Sequence, residues 1–336
     1  MRNQFNLMKI LVTGANGFLG THLCLKLLNQ GHTVYGLVRT LSKISIVHPN
    51  FILIQGDLSQ EILPWVAYLP LDLDACIHTA GLVHSFHTED FFKVNALGTK
   101  FLVDAIKTKF THTFKFILIS SLAAAGPVNY GEIKSETDID FPISAYGRSK
   151  KKAEEILKTL APKEWITSII RPPMVIGPGD TAVLDVFKMV KSGLVLLPGL
   201  DAKKKEYSFV CVFDLVETIT RTLNSDHSLR LYSAYDSVVK YEQLIETIRK
   251  QLNKTWQFYI PLPLFIIKLL AFFLNFIHKF FPHHVRLTPD KVYELGAKAW
   301  TCDSHISRTI LNQNYNYDLN QTVAITLADY QARKWL

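Results

Sequence analysis

Tyr146 and Lys150 stand four residues apart in Ala145–Leu160, a stretch whose apolar spacing predicts a helix, so a phenol and an ammonium share one face. A phenol that titrates near ~10 is a poor base at neutral pH, but a neighbouring cation favours its phenolate and lets it pass a proton to or from an oxygen. Ser121 follows the β-branched run Phe116–Ser120. That is the end from which an open parallel sheet addresses its ligands, so the Ser121 hydroxyl is placed to hold the same oxygen. Taken alone, such a pair on a helix is also what a solvated face looks like. The elements around it decide.

Thr13-Gly14-Ala15-Asn16-Gly17-Phe18-Leu19-Gly20 follows a predicted strand and opens a predicted helix. This is the context in which a glycine loop binds the pyrophosphate of a dinucleotide. Gly14 allows the tight turn, Gly17 leaves the backbone open to the anion, and Gly20 allows close packing of the helix. Gly14, Asn16, Gly17, Phe18, Leu19 and Gly20 are therefore candidate cofactor contacts, with the helix N-terminus facing the phosphates. At the end of the second strand, Gly36-Leu37-Val38-Arg39-Thr40 holds no acid for a ribose hydroxyl. Arg39 offers a forked donor pair to an extra phosphate, which favours NADP(H) over NAD(H). The plainer alternative is a solvated strand end.

These residues sit in a repeating pattern of short β-branched runs and longer helical stretches. The strands are expected at Ile10–Thr13, Thr33–Val38, Phe51–Gln55, Ala75–Thr79, Phe116–Ser120 and Trp165–Arg171. The helices are expected at Phe18–Asn29, Phe91–Thr108 and Ala145–Leu160, with a weaker one around Gln60–Tyr68. Alternation of this kind makes βαβ units and a parallel sheet covered on both faces. The fold class is α/β: a Rossmann-type, doubly wound sheet over residues 8–171, with a smaller, mostly helical substrate region over 172–336. A return contribution to the first domain is expected from about 207–223.

A chain of 336 residues with 48% apolar content fills a sizeable core. Cys24, Cys76, Cys211 and Cys302 lie far apart, which excludes a disulfide framework or zinc ribbon and reads as buried, reduced thiols in a cytoplasmic protein. The leader Met1–Leu7 carries no apolar run with a cleavage site, so no secretion signal is expected. The formal charge of +8 is scattered without an aromatic-basic stripe, which argues against a nucleic-acid partner. His78 belongs to a strand, and His84 and His87 have no accompanying carboxylate cluster, so no metal site is expected.

The glycine loop, Gly56-Asp57-Leu58, His78-Thr79-Ala80-Gly81, Asn95-Ala96-Leu97-Gly98-Thr99, Ser120-Ser121 and Tyr146 to Lys150 together resemble the extended short-chain dehydrogenase/reductases. Arg171 to Asp180 and Trp300-Thr301-Cys302-Asp303 resemble later landmarks of that family, so the likeness runs along nearly the whole chain. The resemblance implies that Asp57, with Leu58, binds the adenine. It also implies that Ala80 and Gly81 line the nucleotide ribose, and that Lys150 holds the nicotinamide ribose while tuning Tyr146. Asn95 would support a proton-relay water, and the backbone near Val175 would receive the carboxamide. For Asn95 a side chain that bends or caps its own helix is the equal alternative. The family also implies a homodimer through the helices that begin near Phe91 and Tyr146.

Two features bear on the substrate. Relatives that act on sugar nucleotides carry arginines to grip diphosphate where this chain has Tyr207 and Tyr293, with Lys203–Lys205 as the remaining point charges. Leu264–Phe281 is an apolar stretch with Lys268, Asn275 and Lys279 on one stripe, shorter than the ~20 residues a spanning helix needs. It reads as an interfacial helix in peripheral membrane contact, as a cover over the substrate pocket, or as a domain-packing helix. With Leu262 before it and Thr288 to Val292 after it, the segment resembles the 3β-hydroxysteroid dehydrogenase and dihydroflavonol reductase-like branch. That implies hydride transfer at a carbonyl or secondary alcohol of an apolar, ring-bearing small molecule. The alternatives are a nucleotide-sugar epimerase or 4-keto reductase that uses the same three residues, and a non-catalytic dinucleotide sensor.

Overall fold

A computed structural model describes residues 7–41, 46–278, 280 and 287–336. Strands β1 (Lys9–Thr13), β2 (Thr33–Val38), β3 (Phe51–Gln55), β4 (Ala75–His78), β5 (Lys115–Ile119) and β6 (Ile166–Arg171) are joined by Arg230–Tyr232 into one seven-stranded sheet. Every pairing in it is parallel, in the order Arg230–Tyr232, β6, β5, β4, β1, β2, β3. The winding direction reverses between β1 and β4. Loops that leave the C-terminal ends of these two strands diverge, which opens the crevice where such sheets bind ligands.

Strand residues alternate between two cores. Ile10, Val12 and Ile77 face helix α1 (Phe18–Asn29) and the helix Val212–Leu223, where Leu23, Leu27, Leu215 and Ile219 bury their side chains. Leu11, Cys76 and Leu118 face the opposite layer. That layer is built by α3 (Gly98–Lys109) and α4 (Ala145–Leu160), through Leu102, Ile106, Ala153 and Leu157. All four cysteines are free and buried.

Three elements depart from the sequence expectation. Instead of one helix over Phe91–Thr108, a short α2 (Thr88–Phe91) runs into a π-helical segment, Phe92–Leu97, and then into α3. Asn95 lies in the widened turn, its carbonyl taken by the Thr99 hydroxyl and its carboxamide drawn outward to other elements. The weaker helix around Gln60–Tyr68 is a 3₁₀ turn, Pro64–Tyr68, which starts where proline's fixed φ suits a first turn. The seventh strand, Arg230–Tyr232, is too short at three residues to leave a periodic signal.

Beyond Arg171, helices Leu184–Ser192, Tyr241–Gln251 and Leu319–Ala332 enclose a separate core around Phe187, Ile245 and Tyr330. Short two- and three-stranded sheets accompany them. The apolar helix runs from Leu264 to His278, and Lys279 and Phe281 lie outside the described residues.

Candidate active site

The glycine loop turns sharply because Gly14 takes φ +69°, a left-handed conformation that costs glycine little. Its N–H and that of Ala15 donate to the Leu37 carbonyl on β2, at 3.0 and 3.3 Å. A Cβ on Gly14 would lie 2.9 Å from the Ala80 backbone, and one on Gly20 would lie 2.1 Å from the Gly14 carbonyl oxygen. Gly20 therefore brings α1 against the loop, rather than against the sheet alone. Gly17 is the N-cap of α1; it supplies no side-chain acceptor, and the first turn holds no acid. First-turn N–H groups have no intrahelical partner, so this end of α1 suits an anion, and the loop's backbone geometry fits a dinucleotide pyrophosphate.

Next to the loop, a buried line of hydrogen bonds ties three elements together. The Ala80 N–H donates to Thr13 Oγ1 (3.2 Å), Thr13 Oγ1 pairs with His78 Nδ1 (2.7 Å), and His78 Nε2 pairs with Thr99 Oγ1 (3.1 Å). Thr99 Oγ1 in turn donates to the Asn95 carbonyl at 2.6 Å. A hydroxyl has one proton, so Thr99 must accept from His78 Nε2–H, and Thr13 must donate to Nδ1. The tautomer is set by its neighbours. Burial, with the nearby Lys150 ammonium, pushes the imidazole down to about 3 and keeps it neutral. His78 is thus a strut between the glycine loop and the π-helical segment.

The Tyr146 phenol, half-buried, lies near the Ser121 hydroxyl and packs edge-on to Phe91 with ring centroids 5.9 Å apart. Ser121 also accepts the Ala123 N–H at 3.1 Å, which holds it at the start of a short 3₁₀ turn after β5. The buried Lys150 ammonium donates to the Ile119 carbonyl at 2.6 Å, and its Nζ lies 3.6 Å from where a Cβ on Gly81 would stand. Burial lowers Lys150 to about 8, opposed by Glu154.

Here the electrostatics differ from the sequence expectation, in which the ammonium favours a phenolate. Burial pushes the Tyr146 phenol up to about 12, with Ser121 pulling it down and Glu294 pushing it further up. Lys150 turns to a strand carbonyl because a buried ammonium needs an acceptor. The phenol is protonated at neutral pH.

The Asn95 carboxamide is spent on structure: it accepts the Leu82 N–H (2.7 Å) and donates to the Leu82 carbonyl (3.0 Å) and Ser149 Oγ (2.9 Å). It clamps the loop after β4 to α4, next to Lys150. Asp57 is exposed beyond β3 and accepts the Ser59 N–H at 2.9 Å. Burial raises its carboxyl, but the Ser59 bonds and the nearby Arg39 charge outweigh that and hold it below the ordinary value. Leu58 is buried, while Arg39 is exposed at the end of β2. Ala80 and Gly81 follow β4 on the loop side, and Val175 lies in the strand Met174–Ile176, which pairs with Phe209–Cys211.

Several residues of the site were not singled out from sequence. Glu154, one turn beyond Lys150 on α4, accepts the Ser120 hydroxyl (2.5 Å) and hydrogen bonds from Nε and Nη2 of the buried Arg171, whose Nη1 and Nη2 donate to Asp140. Its spacing from Tyr146 and Lys150 was a legible signal. Asp290 accepts the Ala145 N–H (2.6 Å) and the Tyr146 N–H (3.3 Å), and Glu294 accepts the Ser144 hydroxyl (2.8 Å). These two carboxylates come from the helix Pro289–Gly296 and cap the first turn of α4 across more than 140 residues of chain; no local pattern announces them. Of the lysines considered as phosphate grips, Lys205 is buried against the Pro198 and Leu295 carbonyls, and Lys203 pairs with Glu242 at 3.0 Å. Among the described residues, no group of three His, Cys, Asp or Glu side chains is placed to hold a metal ion.

A doubly wound sheet with a glycine loop at its switch point and a tyrosine, lysine and serine gathered beside it defines a dinucleotide-binding α/β protein. The chain belongs to the NAD dependent epimerase/dehydratase family, whose profile matches residues 10–235, and so to the extended short-chain dehydrogenase/reductases. It is 32% identical over 194 residues to the ceramide reductase of Caulobacter vibrioides, a match covering 56% of this chain and 52% of that protein. It is 30% identical over 220 residues to the 3-beta-hydroxysteroid dehydrogenase of Mycolicibacterium neoaurum, covering 61% of this chain and 58% of that one. The chain thus spans about half the length of these curated relatives. In fold it is similar to UDP-glucuronic acid 4-epimerase from Bacillus cereus, solved with UDP-glucuronic acid and NAD. That likeness has a TM-score of 0.75 at 20% identity and covers 97% of this chain and all of the other.

Proposed function

We propose that the protein is an oxidoreductase that moves hydride reversibly between NADP(H) and the carbonyl or secondary alcohol of an apolar, ring-bearing or lipid-like substrate. The observation that carries this is the protonated Tyr146 phenol near Ser121 at the C-terminal end of the sheet, with Lys150 one helical turn on and held by the Ile119 carbonyl. A dinucleotide held by its pyrophosphate at the glycine loop would supply or accept the hydride through its nicotinamide. The chain's own residues manage the oxygen: Ser121 orients it, and the Tyr146 phenol gives it a proton in reduction, while in oxidation the phenol first loses its own proton and the phenolate takes the one from the alcohol. Lys150 holds the nicotinamide ribose, and Asn95, as a positioning residue, keeps the Leu82 loop against α4. Asp57, Leu58, Ala80, Gly81 and Val175 line the rest of the cofactor.

The apolar substrate is supported by the fate of Lys203 and Lys205, which are committed within the protein rather than offered to a diphosphate. The names of the ceramide reductase and steroid dehydrogenase relatives point the same way. The second reading, a nucleotide-sugar epimerase, is favoured by the fold likeness to an enzyme solved with a UDP-sugar acid. NADP is favoured by exposed Arg39 at the end of β2. The homodimer through α3 and α4 is part of the proposal, supported by exposed Phe92 and Leu97 just before α3.

One titration series tests the core of it. Tyr146→Phe should bind nicotinamide nucleotide like wild type and lose turnover by ~10²- to 10⁴-fold, and Arg39→Ala should weaken NADPH more than NADH. Unchanged turnover in the first, or equal NADH and NADPH binding in both wild type and Arg39→Ala, overturns the corresponding assignment.

A further inference from the structure

The helix Leu264–His278 is inside out. Only Ile267 and Ala271 are buried, against Val292, Leu262, Leu264 and Leu287. On the opposite arc, spanning roughly 100° at helical spacing, Phe265, Leu269, Phe272, Phe273 and Phe276 face solvent, Phe272 at 69% exposure. A helix of a globular protein ordinarily turns such a stripe toward the core. One flank is the polar part: Lys268 is exposed and Asn275 half-buried there, while the other flank continues the apolar surface through exposed Ile266 and Leu270.

The surface continues beyond the helix. Strands Leu194–Pro198 and Phe258–Leu262 pair in parallel, with Phe258 opposite Leu194 and Ile260 opposite Leu196. Those four are exposed, while Val195 and Leu197 between them are buried, so the ribbon shows an apolar face outward. The ribbon leads into the helix through Pro263, and Leu264 lies 3.6 Å from where a Cβ on Gly199 would stand. An apolar face of this extent marks an interaction site.

Charge selects the occupant. From Thr247 to Pro289 the sequence holds six Lys or Arg residues and no Asp or Glu. Glu246, just before this stretch, pairs with Arg249 and accepts from the Tyr259 hydroxyl, which leaves a net cationic excess along the apolar face. Such a face complements an anionic lipid surface, which offers hydrocarbon beneath a layer of negative charge. Among the described residues no helix is long and apolar enough to cross a bilayer.

We infer that the helix Leu264–His278 and the adjoining ribbon dock the protein onto an anionic phospholipid bilayer. The docking element is joined to the active site: it packs on the helix Pro289–Gly296, whose Asp290 caps the first turn of α4 at Tyr146. At its other end His278 stacks on Phe86, in the loop after β4, with centroids 3.8 Å apart. An apolar substrate leaving the bilayer therefore meets the side of the protein that holds Tyr146. That last consequence rests on the apolar-substrate reading; the docking does not.

The test is flotation of the full chain with vesicles of phosphatidylcholine alone and of phosphatidylcholine with a minority of phosphatidylglycerol. Wild type should float with both and favour the anionic vesicles, a preference that salt weakens. Phe272→Ser combined with Phe276→Ser should reduce partitioning at least about tenfold with an unchanged melting temperature. Lys268→Glu should reduce only the preference for phosphatidylglycerol. Wild type that stays unbound with both vesicles, or a double variant that floats like wild type, overturns the inference. So does a vesicle-free dimer that the double variant converts to monomer, since the face then belongs to a second copy. Tyr146→Phe should float like wild type, which keeps failure of docking separate from failure of the proposed chemistry.

Discussion

Helix α4, 16 residues long, and the helix Leu264–His278, 15 residues long, solve opposite problems. α4 is polar in composition and yet buries Ser149, Lys150 and Glu154, whereas the second helix is apolar almost throughout and buries only two residues. Burial here follows the supply of partners rather than hydropathy. Each charged group that α4 takes inside finds a partner across the chain: Lys150 the Ile119 carbonyl, Glu154 the Arg171 guanidinium. Among the described residues the apolar helix finds a partner for one edge only, and the rest is the face that the docking proposal assigns to a bilayer. The contrast supports both proposals, since a lysine buried at a cost and an apolar face left wet are both unfavourable for folding alone.

Three substitutions can break or sharpen this contrast. The largest effect is expected at Lys150. Lys150→Met should lower turnover by at least ~10²-fold and at the same time stabilise the fold, because a buried ammonium held down to about 8 opposes folding. The unfolded chain keeps this proton up to 10.5 and the folded chain releases it above about 8, so the penalty is full below about pH 8 and vanishes as pH rises to 10.5. Urea midpoints should therefore favour the variant by on the order of 3 kcal/mol at neutral pH and converge with wild type in alkali. A variant less stable than wild type at every pH would show that the lysine belongs to the fold rather than to the site.

Next comes Glu154→Ala, which leaves the Arg171 guanidinium buried with Asp140 alone. We expect a loss of about 3–5 kcal/mol in denaturant unfolding. A loss under about 1 kcal/mol would mean that the buried charges of α4 are not held by their partners. The smallest effect is expected on the other helix, where Phe272→Ser should change thermal stability within about 0.5 kcal/mol, the range of surface positions. A large destabilisation there would place Phe272 in a core and remove the contrast.

The glycine loop and the Tyr146–Lys150 spacing were legible because they are local. A turn requires glycine at a given residue, and i to i+4 neighbours on a helix meet whatever the fold does. The six long strands were legible because a sheet covered on both faces demands continuous β-branched runs. His78 was visible only as a strand residue. Its role as a strut depends on Thr13 and Thr99, which lie 65 and 21 residues away. The π-helical turn at Asn95 was hidden for the same reason, since Leu82 and Ser149 draw its side chain from different elements.

Sequence alone determined the βαβ order, the loop for a dinucleotide, and the pairing of a phenol with an ammonium, because backbone geometry and helical periodicity act over a few residues. Only tertiary structure decided the rest. It turned Lys150 onto a strand carbonyl and left Tyr146 protonated, brought Asp290 and Glu294 to the first turn of α4, and set the apolar arc of Leu264–His278 facing outward. Desolvation and long-range partners govern those outcomes, and neither exists until the chain has closed around them.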